Sequence, residues 1–63
     1  MKNWIELESV GSFINLETKI IVPALMSGEP EDMEWCGVHL DEVDEDWTRG
    51  LSVEDAVIVN NLV

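Results

Sequence analysis

Trp4-Ile5-Glu6-Leu7-Glu8-Ser9-Val10, then Gly11-Ser12, Phe13-Ile14-Asn15-Leu16 and Lys19-Ile20-Ile21-Val22-Pro23-Ala24-Leu25: this stretch decides the fold class. Ile5 and Leu7 alternate with Glu6 and Glu8, the period-two pattern of a strand with one buried face. Gly11-Ser12 punctuates the run, and Phe13–Leu16 reads as a second strand. Leu16-Glu17-Thr18-Lys19 is polar and of hairpin length, which pairs that strand with a third over Lys19–Leu25. Pro23 has no backbone donor, so the third strand is expected to lie at a sheet edge or to end there.

Beyond this meander the signals change. Ser27-Gly28-Glu29-Pro30-Glu31-Asp32 reads as a loop. Met33 to Leu40 is ambiguous: Trp35, Val38 and Leu40 could anchor a short strand, and Gly37 argues against a helix. Asp41 to Trp47 carries helix signals, with Asp41 as N-cap, acids in the first turn, and Val43 and Trp47 four apart on one face. Arg49-Gly50 ends it. Ser52-Val53-Glu54-Asp55 begins a second helix, with Ser52 as N-cap and Asp55 at the capping-box position, one methylene shorter than the preferred Glu. Ala56-Val57-Ile58-Val59 is apolar all round and could form a strand; the cap favours a helix that wants complete burial. The expected class is α+β: a single domain over 1–63, with an antiparallel meander of about three strands followed by one or two short C-terminal helices.

Sixty-three residues with one cysteine, Cys36, cannot form an intrachain disulfide. A chain this short buries only about 60% of its unfolded surface, so its core is marginal. That shortage and the apolar helix point to self-association, most simply a two-fold dimer, through Ile20, Val22, Val57, Ile58 and Leu62. An acid at Glu6 stands where a secretory signal would turn apolar. The longest apolar run, Ile20–Met26, falls far short of the ~20 residues a membrane helix needs. A lone thiol without those signals fits a cytoplasmic setting.

Charge is concentrated in the middle of the chain. Glu29–Asp46 holds nine acids and no Lys or Arg, supplying −9 of the net −11. Such a surface repels nucleic acid and anionic lipid, so neither is an expected partner. The window has three readings. It is a solvated face, or a docking face for a basic protein formed by Asp41, Glu42, Asp44, Glu45 and Asp46 with Trp35 as an exposed aromatic anchor. In its sharpest form that docking face imitates nucleic acid, with helical carboxylates about 5–6 Å apart, as a decoy of the viral accessory kind. The third reading is calcium: Asp44, Asp46, Thr48, Gly50, Ser52 and Asp55 fall at positions 1, 3, 5, 7, 9 and 12 of a loop, the spacing of a Ca²⁺ hand. Arg49 occupies the turn glycine's place and Asp55 replaces the bidentate Glu, so no metal is expected.

Cys36 and His39 have metal-ligand spacing but number one each, where structural zinc takes four ligands unless a dimer donates both twice. A Cys–His nucleophile pair at this spacing lacks an orienting group. No phosphate loop, serine-nucleophile motif or cofactor motif is present, and no carboxylate pair stands out among fourteen acids. The expected activity is therefore binding rather than catalysis, as an interaction protein or a small adaptor subunit. Crowding nine carboxylates together is expected to raise their pKa values. Trp4, Trp35 and Trp47 supply the large aromatic surface for a core or an anchor.

Overall fold

The computed structural model describes residues 3–24 and 29–62. Four strands form one antiparallel sheet in sequential order: β1 Trp4–Leu7, β2 Ser12–Asn15, β3 Ile20–Pro23 and β4 Val38–His39. Two C-terminal helices follow, α1 Glu45–Arg49 and α2 Val53–Asn60. The α+β class is as the sequence indicates, with one strand more than the three expected.

Register places like with like. Ile5 lies opposite Ile14, Ile14 opposite Ile21, and Ile21 opposite Val38, a continuous apolar row across all four strands. On this face Leu7, Ile14 and Ile21 pack with Leu40 and Val59, and half-buried Val43, Trp47, Leu51 and Leu62 close over them. Trp4 and Val22 point to the opposite face and pack with Met33 from a 3₁₀ helix at Pro30–Cys36. The sheet is thus covered on both sides, which is how a short chain uses each strand twice. Leu7, Ile14 and Val22 are wholly buried.

Alternation in the sequence overruns the first strand. Pairing stops at Leu7 opposite Ser12, and Glu8–Val10 forms a 3₁₀ turn closed by Gly11 N–H donating to the Glu8 carbonyl at 3.3 Å. Gly11 sits at φ 59°, a left-handed conformation that disfavours a Cβ. Val10, three residues beyond Leu7, consequently packs on the same cluster, the spacing of a three-residue turn. The β2–β3 connection at 16–19 is organised by Asn15: its Oδ1 accepts from the N–H groups of Glu17 and Thr18, both at 2.8 Å.

β3 ends at Pro23 but is an interior strand, not an edge. The missing donor is tolerated because two-residue β4 reaches only Ile20 and Ile21, leaving Pro23 unpaired on that side. The expected extension to Leu25 lies outside the described residues, as do Ser27 and Gly28 of the expected loop. The remainder of that loop is not irregular: Pro30 opens the 3₁₀ helix, and Pro30 and Met33 bury the same side of it.

Gly37 links this 3₁₀ helix to β4. A Cβ there would collide with the Ile20 side chain and stand 2.8 Å from the Ile21 carbonyl oxygen, so the absent side chain is what lets β4 approach β3.

Candidate functional site

The chain between β4 and α1 carries the acidic row, and its local structure departs from a single helix. Leu40–Glu42 is a 3₁₀ turn whose cap is His39, with Nδ1 accepting from Asp41 N–H at 3.1 Å. Asp41 is therefore inside the turn rather than its N-cap. The α-helical cap is Asp44, whose Oδ1 accepts from Trp47 N–H at 3.0 Å. Asp41, Glu42, Asp44, Glu45 and Asp46 are thus divided among a turn, a cap and a helix of five residues, and the regular helical row expected of a nucleic-acid mimic does not form. Val43 in extended conformation separates the two pieces, because its side chain is drawn into the main core.

All five carboxylates are exposed, and they are not equivalent. Arg49 pairs with Glu45 at 3.1 Å and with Asp46 at 3.3 Å. Asp41 lies 3.6 Å from His39 Nδ1, a contact that attracts only when the ring is protonated there. Protonation would remove the acceptor that caps the 3₁₀ turn, so the two interactions exclude one another. Among the described residues, Glu42 and Asp44 make no salt bridge, and Asp44 commits a single oxygen to its cap.

These two acids border an open groove of about 370 Å³ between the sheet and α1. Ile21, Pro23 and Val38 form its apolar strand wall, and Val43 and Trp47 face them. Four segments build it, which is why no local motif announces it. Trp35, 86% exposed on the 3₁₀ helix, does not line the groove, although the neighbouring Cys36 does; the Cys36 thiol donates to the Met33 carbonyl at 3.1 Å. In the same acidic window Glu31 is held above its ordinary carboxyl value because its protonated carboxyl can donate a hydrogen bond to Glu29, and because the Glu29 charge repels its ionised form.

The remaining sequence candidates separate. Asp55 of the calcium spacing is buried and turned to Ser9, accepting from its hydroxyl at 2.5 Å and its N–H at 3.1 Å. Asp46 pairs with Arg49 and Asp44 caps α1, so the loop positions do not converge on a common point. Among the described residues no three His, Cys, Asp or Glu side chains are grouped to hold a metal. Cys36 and His39 are each engaged by neighbouring backbone rather than by one another.

Of the residues expected at a self-association surface, Val22 is wholly buried and Ile20 packs on the Trp4 cluster, so Val22 offers a partner no surface. Ile58 and Leu62 are half-buried on the main core, whereas Val57 is 55% and Val53 84% exposed. The all-round burial expected of α2 is not realised within the chain: Asp55, Ile58 and Val59 turn inward, while Val53 and Val57 face out. No helix among the described residues is long and apolar enough to cross a membrane. No family model, curated protein or solved structure matches the chain.

Proposed function

We propose that this chain is a non-enzymatic binding protein whose acidic segment, Asp41–Asp46, docks a basic protein partner. The observation that carries this reading is the exposure of all five carboxylates beside an apolar groove, with Glu42 and Asp44 outside any ion pair of the described residues. Carboxylates without a cation of their own can meet one on a partner, which speeds encounter and fixes orientation. A binding role also suits Cys36 Sγ, His39 Nδ1, Ser9 Oγ and Asp55 Oδ2, each of which makes a structural hydrogen bond. The exposed thiol suits a reducing, cytoplasmic setting.

The test replaces Asp41, Glu42, Asp44 and Glu45 by Asn and Gln, and compares this variant with one carrying Glu6, Glu8 and Glu17 as Gln. Asparagine in place of Asp44 is as good an N-cap as aspartate, so the fold is kept. Against a synthetic Lys/Arg-rich peptide, the first variant should lose affinity by about tenfold or more, and the second by less than about threefold. Equal losses would reduce the row to non-specific attraction, and no loss would return it to a solvated face.

A second reading rests on α2. Val53 and Val57, one turn apart and exposed, form an apolar strip on which two copies can pair. It is compatible with the first, since the strip is separate from the acidic row. Sedimentation should show a dimer that Val57→Lys dissociates; a folded monomer at micromolar concentration removes the idea.

A further inference from the structure

We propose that the groove between β3–β4 and α1 receives one Leu- or Met-sized side chain of a basic peptide segment, with Glu42 and Asp44 holding the Lys or Arg residues that flank it. This rests on the acidic docking reading above and names the partner's chemistry.

The groove's volume of about 370 Å³ is near the ~300 Å³ lower bound of small-ligand pockets, but it is open along the surface. That shape suits a side chain projecting from another backbone more than a free molecule that must be enclosed. Ile21, Pro23, Val38 and Val43 make its walls apolar, and Trp47 adds a large flat contact of the kind found at interface anchors. Val38 is 44% exposed, so part of this apolar wall faces solvent in the free chain. Charge complementarity selects the occupant. Arg49 already serves Glu45 and Asp46, and His39 stands beside Asp41. Glu42 and Asp44, the acids with oxygens uncommitted to any cation of the described residues, are also the acids on the groove's border. Apolar wall and available charge coincide there, which favours a ligand joining an aliphatic group to nearby cations.

The experiment is isothermal titration of the intact chain, at low ionic strength, with three blocked pentapeptides: Lys-Arg-Leu-Lys-Arg, Lys-Arg-Ser-Lys-Arg and Gln-Gln-Leu-Gln-Gln. The Leu-centred basic peptide should bind about tenfold tighter than its Ser counterpart, as expected for burying most of one Leu side chain. The Gln peptide should not bind measurably. Val38→Gln, at an exposed wall position, should erase the Leu–Ser difference while leaving the Ser peptide's affinity unchanged. E42Q/D44N should weaken both basic peptides. Equal binding of the two basic peptides overturns the groove assignment while leaving the acidic docking face standing. Failure of both basic peptides to bind removes the docking reading and the groove assignment together. Binding of the Gln peptide as tightly as the Leu-centred basic one removes the role given to Glu42 and Asp44.

Discussion

Ser9 and Asp55, 46 residues apart, are joined through the Ser9 hydroxyl, which donates to Asp55 Oδ2 at 2.5 Å and accepts from Ser52 N–H at 3.0 Å. Ser52 Oγ in turn accepts from Asp55 N–H at 3.2 Å, the cap expected for α2. In a capping box the acid at this position reaches back to the cap residue's own N–H. Asp55 is a methylene too short for that, and the hydroxyl of Ser9 fills the interval. A local helix start is thereby converted into a long-range clamp between α2 and the turn after β1.

Removing the relay should loosen the C-terminal helix. Ser9→Ala deprives the Ser52 N–H of its acceptor and Asp55 of its hydroxyl donor, and should lower the melting temperature by roughly 5–10 °C. Asp55→Asn should do likewise, and the double variant should fall short of the sum, because both changes break the same network. Additive losses in a double-mutant cycle would show that the two residues act independently. Ser52→Ala should cost about 1 kcal/mol through the cap alone.

Two carboxyls give the pH dependence opposite slopes. The Ser9 hydroxyl and N–H hold Asp55 below the ordinary carboxyl value of 3.8, so its contribution is present above that pH and is lost as pH falls through its lowered pKa. Glu29 holds Glu31 above its ordinary 4.5, so stability there is fullest below 4.5 and is lost as pH rises through the raised pKa. Melting temperature should therefore rise from neutral pH to a maximum near about pH 4–5 and then fall. Glu31→Gln should flatten the neutral limb, and Asp55→Asn the acid limb. A monotonic curve in the unaltered chain would contradict this pairing.

Glycine substitutions should separate space from backbone conformation. Gly37→Ala forces a methyl against Ile20 and the Ile21 carbonyl and should destabilise by about 2 kcal/mol. At Gly11 an added Cβ meets no atom within 4 Å, so its penalty comes from the left-handed φ of 59° alone, about 1 kcal/mol. Denaturant unfolding that ranks Gly11→Ala as the more damaging change would contradict the close approach at β4.

The meander was legible because Ile5/Leu7 alternation and the Leu16–Lys19 turn are local signals, and Ser52 announced α2 in the same way. Strand β4 was not, since Val38–His39 is held by pairing with Ile20 and Ile21 and by the missing side chain of Gly37 rather than by its own pattern. Pro30 and Met33, three apart and both buried, carried the period of the 3₁₀ helix, but the surrounding acids read as loop. For the acidic row, exposure could be read from composition, while its division at Val43 depended on a core that only the folded chain assembles. Asp55 shows the same limit: its spacing from Ser52 announced the cap that its N–H makes with Ser52 Oγ, but not that its carboxylate turns to Ser9, 46 residues earlier.

The docking account is tested most directly by ¹H–¹⁵N chemical-shift mapping during titration with Lys-Arg-Leu-Lys-Arg. The largest changes should fall at Val38, Glu42, Val43 and Asp44 and at the Trp47 indole N–H, with Val53, Val57 and the Trp35 indole unmoved. Changes centred on Trp35 or on α2, or spread evenly over Glu6, Glu8 and Glu17 as well, would contradict it.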